Sequence, residues 1–180
     1  DGYEISVPEA VAAQFASALL EQPDVEAIGL GARDSLRLEG GLCLYGHDID
    51  TETRPFEAAL GWAIQKVRRP DGDRAGGFPG ADAVFADLGG NAPRKRVGLK
   101  PEGRAPMREG VVLYAAAEGG APIGTITSGG FGPTVGGPVA MGYVSAEYAA
   151  LETQIFGELR GKRVPVTVAK LPFVAANFKR

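Results

Sequence analysis

The chain has 180 residues, 44% hydrophobic and 23% charged, with a formal net charge of -3 and a pI near 5.3. That length supports a buried core between one and two domains in size, and the acidic balance gives no general attraction to nucleic acid or to an anionic membrane. A single cysteine, Cys43, excludes an internal disulfide; with the single histidine, His47, it leaves too few soft ligands for zinc or an iron-sulfur centre, and it points to a reducing compartment.

No apolar run approaches the roughly 18 to 20 residues of a membrane span, and no basic-then-apolar segment marks a signal peptide. The chain opens on Asp1 rather than Met. It runs directly into a strand-like segment, which is read as a fragment whose amino-terminal partner is missing. Residues 3–7 (YEISV) alternate in polarity and suit a strand; Ser6 and Glu9 have the spacing of a capping box, with Pro8 tolerated in a first helical turn. A helix is expected next, because Val11, Phe15, Ala18 and Leu19 recur at helical spacing until Gln22-Pro23-Asp24 stops the run.

The run 29–39 (GLGARDSLRLE) is helix-compatible from about Ala32, and Gly40-Gly41 breaks it before the apolar LCLY. Residues 46–54 (GHDIDTETR) are polar and turn-like. Pro55 sits where a helix can begin, and Phe56, Ala59, Leu60, Ala63 and Ile64 form one apolar stripe that leaves Trp62 free for another surface. The charges and breakers of 70–77 (PDGDRAGG) have the composition of a linker, and a boundary is placed there.

Beyond it the pattern changes. Six short apolar runs, beginning near residues 96, 111, 123, 139, 154 and 164, are bounded by turn residues such as Glu118-Gly119-Gly120 and Arg160-Gly161-Lys162. They imply an antiparallel barrel or small sandwich. The glycine-rich 129–137 (GGFGPTVGG) lacks the spacing of a nucleotide-binding loop and is read as a loop between strands. The 127–130 run TSGG is no nucleophile elbow, so His47 has no serine to activate, and hydrolase readings are rejected. Arg94-Lys95-Arg96 is read as a solvated strand start rather than an RNA-binding patch.

Several separated segments in register carry a resemblance: DGYEISVP (1–8), GLGARDSLRLEGGLCLYGHDID (29–50), KRVGLK (95–100), TSGG (127–130), VAMGYV (139–144) and the ending KLPFVAANFKR (170–180). Together they closely resemble the carboxyl-terminal half of the glycine cleavage T-protein family. The resemblance implies an α+β chain: the end of two interleaved α/β folate-binding domains followed by a carboxyl-terminal antiparallel β-barrel. It divides the chain into 1–30, the end of the first domain; 31–75, the end of the second; and 76–180, the barrel.

The activity implied is that of a folate-dependent aminomethyltransferase. Such an enzyme takes the one-carbon unit from the aminomethyl-lipoyl arm of the H-protein, passes it to tetrahydrofolate and releases ammonia. The family's catalytic aspartate belongs to the amino-terminal half, so no residue here is assigned its role. Expected partners are the lipoylated H-protein, tetrahydrofolate as co-substrate and the missing half of the same protein, with no nucleic acid, membrane or metal. The expected location is the cytoplasm, or the mitochondrial matrix in a eukaryote.

Three residues carry over as folate contacts. Glu4 matches a glutamate that holds the pterin, whose amino-pyrimidinone edge offers two parallel N–H donors to a carboxylate; spacing alone would make it only the polar member of a strand. Arg33 matches an arginine at the benzoyl-glutamate end, where a guanidinium can grip a carboxylate bidentately. Arg37 is the better candidate for a pairing on the helix surface with Asp34 or Glu39. Phe178 aligns with a ligand-contacting position near the carboxyl terminus, with Lys179 and Arg180 as rivals. Tyr45, Asp48 and Asp50 are read as structural, a packed ring and turn-forming carboxylates, and Cys43 as a small buried hydrophobe.

Other uses of the same fold remain alongside: the folate-binding half of a dimethylglycine- or sarcosine-oxidising flavoenzyme, or a sulfoniopropionate demethylase. A folate-binding protein of iron-sulfur assembly is disfavoured, because its usual KGCYxGQE is replaced here by GLCLYGHD. A non-catalytic barrel that binds a partner protein is the alternative from a different class.

Overall fold

The computed structural model describes residues 3–177. The carboxyl-terminal part is a closed antiparallel barrel of β1 (Arg94–Pro101), β2 (Val112–Tyr114), β3 (Pro122–Gly132), β4 (Gly137–Ser145), β5 (Gln154–Leu159) and β6 (Lys162–Ala169). Around the barrel the order is β1-β4-β3-β2-β5-β6. All six expected runs are strands, and the barrel option is the one realised. Val97, Leu99, Leu113, Ile126, Ala140, Val144, Ile155, Val166 and Val168 alternate inward and form its core with Met107. The β5–β6 hairpin closes on left-handed backbone: Arg160 and Gly161 both have positive φ, as a two-residue turn between Leu159 and Lys162 requires. Gly124 of β3 lies opposite Val144 and Gly142 of β4 opposite Ile126, and a Cβ on either glycine would collide with a carbonyl of the partner strand, Tyr143 or Thr125. The 129–137 run is only partly a loop, because Gly129–Gly132 lengthen β3 and the turn itself spans 133–136.

The opposite face of β4 points outward. Val139 and Met141 pack there against Leu38 of α2 (Leu30–Glu39). This helix ends in a Schellman closure, with Gly41 left-handed at φ 67, Leu42 N–H donating to the Arg37 carbonyl and Gly41 N–H to that of Leu38. Buried Glu39 accepts the amides of Thr134 and Val135, and its carbonyl accepts those of Phe173 and Val174. One residue thus ties α2 to the β3–β4 turn and to the segment after the barrel.

The chain before α2 is looser. Residues 3–7 do not form the expected strand, since a strand needs a paired neighbour and the described residues supply none. α1 (Glu9–Leu20) forms as expected, with Pro8 at its N-cap and no side-chain cap from Ser6, and it buries no residue. Val11, Leu19 and Leu20 are exposed.

The helix expected from Pro55 does not form. The backbone makes one turn, closed by Leu60 N–H to the Pro55 carbonyl with Ala59 at φ 58, and continues as short 3-10 turns at Gly61–Ala63 and Lys66–Arg68. The cause lies in the barrel: Arg96 takes the Glu57 carbonyl with its own amide at 2.7 Å and the Ala58 carbonyl with Nε at 2.9 Å, so neither can serve the next helical turn. Arg96 is therefore buried, correcting its reading as part of a solvated strand start; Arg94 remains partly exposed beside Glu57. Residues 70–74 are turns and 75–77 have no regular structure, and a short helix not foreseen from sequence, α3 (Ala81–Ala86), precedes β1.

Candidate functional site

A cavity of about 540 Å³ opens between the first turns of α2 and the barrel wall. Arg33 and Asp34 face it from the helix, His47 from the 44–49 turn, Arg108 and Glu109 from the segment before β2, and Thr127 and Ser128 from β3. α2 begins on Gly29 without a side-chain cap, so its first N–H groups are left to whatever occupies this end.

Asp48 organises the wall. Its side chain is fully buried and accepts Arg37 Nη1 at 2.7 Å, Leu44 N–H at 2.9 Å, Ser128 Oγ at 2.9 Å and Thr127 Oγ1 at 2.6 Å. In a regular strand, Thr127 and Ser128 would point to opposite faces. A register shift between Ile126 and Ser128 bends β3 there, and both hydroxyls reach one carboxylate. The Asp48 carbonyl accepts the Tyr143 hydroxyl at 2.7 Å; burial pushes that phenol up to about 12. Arg37 is completed by Asp34, Nε to Oδ1 at 2.7 Å. The Arg37–Asp34 pairing expected from helical spacing is thus present, and Asp48 is structural as read, though as a buried hub rather than a simple turn.

Among the other sequence candidates, Arg33 is exposed on the cavity wall, and its guanidinium makes no hydrogen bond or ion pair with the described residues. Glu4 is exposed in the segment before α1 and is not on that wall. Phe178 lies outside the described residues. Asp50 caps its own turn, accepting Thr53 Oγ1 and the Glu52 amide, and the Thr53 hydroxyl leads the causes that lower its carboxyl. Tyr45 is 68% exposed, which corrects the expectation of a packed ring. Cys43 is half-buried, and burial pushes its thiol up, against nucleophilic use.

Two features escaped the sequence. Arg108 stands on the cavity far along the chain from α2, and His47 Nδ1 meets Glu109 Oε2 at 2.7 Å across 62 positions. No local pattern announces either. A second charged cluster lies on the other side, where Glu57 receives Arg54 and Arg94, and Asp87 lies 3.1 Å from Arg54 Nε without a well-aimed N–H. Burial works to raise the Glu57 carboxyl, but the hydrogen bonds from Arg54 and Arg94 outweigh it and leave it lowered. Among the described residues no three His, Cys, Asp or Glu side chains gather to hold a metal, and no helix is long and apolar enough to cross a membrane.

Residues 1–68 match the family described as the GCVT N-terminal domain, and residues 94–175 that described as the glycine cleavage T-protein C-terminal barrel domain. The mitochondrial aminomethyltransferase of Canis lupus familiaris is 49% identical over 178 residues, 99% of this chain and 42% of that protein; the Homo sapiens protein is 48% identical over the same extent. The crystal structure of the glycine cleavage system aminomethyltransferase T from Bartonella henselae is similar with a TM-score of 0.83 and 48% identity, over 93% of this chain and 45% of that one. The chain therefore spans less than half the length of these relatives.

Proposed function

Because the chain belongs to the glycine cleavage T-protein family, we propose that it is the carboxyl-terminal part of a folate-dependent aminomethyltransferase. The complete protein would pass the one-carbon unit of an aminomethyl-lipoyl H-protein to tetrahydrofolate and release ammonia, with the catalytic aspartate supplied from outside this chain. The observation that carries the reading is the 49% identity to a mitochondrial aminomethyltransferase across nearly the whole chain. The uncommitted Arg33 guanidinium on a cavity of about 540 Å³ is consistent with it. In a eukaryote the mitochondrial matrix is the proposed location, in line with the relatives' names; in a bacterium it is the cytoplasm. The proposed division is 1–30 and 31–75 as the ends of two folate-binding domains and 76–180 as the barrel.

In this reading the residues of the chain bind and orient. Glu4 accepts the two N–H donors of the pterin edge, Arg33 grips a carboxylate at the other end, and Phe178 packs against the ligand. Holding the folate in one pose against the aminomethyl carbon is the contribution expected of them, since positioning alone can supply several of the roughly 7–11 kcal/mol available to oriented reactants. In the full-length protein, Glu4→Ala and Arg33→Ala are each expected to weaken tetrahydrofolate binding by about 1.5–3 kcal/mol in titration calorimetry. Unchanged affinity in both variants would remove the site assignment.

A further inference from the structure

A second cavity, of about 420 Å³, lies where β6 parts from β1, and it shares no residue with the one beside α2. The pairing of the two strands begins only at Gly98 with Ala169, so residues 94–97 of β1 have β4 on one side and no strand of the described residues on the other. β6 ends at Ala169 and the chain continues as Lys170-Leu171-Pro172. Leu171 packs where Gly98 lacks a side chain: a Cβ there would sit 3.0 Å from Leu171 Cδ2. Phe56, Leu151 and Pro172 extend the apolar wall that Leu171 begins.

The charge of this cavity is one-sided. Lys95, Arg96 and Lys170 line it, and no aspartate or glutamate does. Neither lysine forms an ion pair among the described residues. Arg96 is only 7% exposed, yet every group it bonds is neutral: Nε reaches the Ala58 carbonyl, and Nη1 reaches the Gly41 carbonyl at 3.1 Å and Met141 Sδ at 3.0 Å. Its Nη2 donates to nothing among the described residues. Glu57, whose carbonyl takes the Arg96 amide, gives its carboxylate to Arg54 and Arg94 instead. A guanidinium withdrawn from water calls for a counter-charge, and no side chain on this wall supplies one.

We propose that this cavity binds a small organic phosphate, its phosphomonoester group held by Lys95, Lys170 and Nη2 of Arg96, its apolar or aromatic body against Phe56, Leu151 and Leu171. Three positive charges outweigh a single carboxylate, whereas a phosphate monoester brings about 1.5 to 2 negative charges at pH 7 and three strong acceptor oxygens. The lysines act as point charges that suit those oxygens, and the one uncommitted nitrogen of Arg96 rules out the two-pronged grip by which an arginine prefers a carboxylate. The apolar wall asks for more than inorganic phosphate, which would leave it in contact with water. Neither these residues nor this ligand enters the folate reading, so the two stand or fall separately.

The test is titration calorimetry on the full-length protein with phenyl phosphate, inorganic phosphate and benzoate. Phenyl phosphate is expected to bind at least about tenfold tighter than either of the others, and to weaken as salt is raised. Lys95→Ala and Lys170→Ala should each weaken it about tenfold, while Lys170→Arg should keep most of the affinity. Leu151→Glu, at an exposed position on the wall, should abolish binding by setting an acid against the phosphate. Arg96 is left in place, since it also holds the 55–60 turn. Affinity that survives both lysine-to-alanine variants, equal affinity for phenyl phosphate and inorganic phosphate, or tighter binding of benzoate overturns the proposal. So does loss of binding on Arg33→Ala or displacement by tetrahydrofolate, either of which puts the probe in the cavity beside α2. No binding by any of the three probes overturns it as well. Tetrahydrofolate affinity should be the same in the two lysine-to-alanine variants as in the parent protein, so its own titrations judge the folate assignment.

Discussion

Asp48 shows how much of a site can depend on a residue that touches no ligand. Its carboxylate pairs with Arg37 out of water and accepts three further donors, so deleting it leaves Arg37 with the exposed Asp34 as its carboxylate partner and takes the nearest acceptor from two hydroxyls. Asp48→Ala is expected to cost about 3–5 kcal/mol, the range for removing one partner of a buried ion pair; a denaturant midpoint equal to that of the parent chain would refute the role. The residue type and its turn were legible in GHDID, and its structural duty was read correctly. Its depth was not, because Thr127 and Ser128 lie some eighty positions away and converge on it only through an irregularity in β3. Glu4 and Arg33 stood out by family likeness alone; alternation and helical spacing by themselves made them ordinary surface residues. Arg108 had no marker, since a lone arginine in a breaker-rich loop is the commonest kind.

At the scale of elements, the strands were the readable part because each apolar run is short and closed by turn residues, so local preference and tertiary packing agree. The segment after Pro55 shows the opposite case. Its apolar stripe has helical period, yet the barrel's Arg96 draws off two of the carbonyls that a helix would use, and Ala59 adopts a left-handed backbone to complete the turn. For an L-residue with a Cβ that conformation costs about 1–2 kcal/mol. Ala59→Gly should therefore raise stability by roughly 0.5–1 kcal/mol after allowing for the greater freedom of glycine in the unfolded chain. Thermal melting of the two chains decides it, and a lower melting temperature for the glycine variant would show that the turn is not strained. The short helix α3 went unread for a related reason: six residues carry too little periodicity to distinguish them from the linker before them.

For the whole molecule, order is unevenly distributed. The barrel has a core of ten buried residues, whereas α1 buries none and 3–7 join no strand among the described residues. In hydrogen-exchange mass spectrometry on the 180-residue chain, amides of Glu9–Leu20 are expected to exchange within seconds while β1, β4 and β6 stay protected. Equal protection in both regions would contradict this distribution. Between these extremes lies α2, which sequence assigns to the parts preceding the barrel but which Leu38, Glu39 and the Arg37–Asp48 bond fasten to the barrel itself. The clasp formed by Glu39 has a mechanical consequence: tension applied along the chain from the amino-terminal side would be relieved by unravelling at 21–29, upstream of the clasp. The helix bearing Arg33 would then travel as one rigid piece with the β-structure behind it.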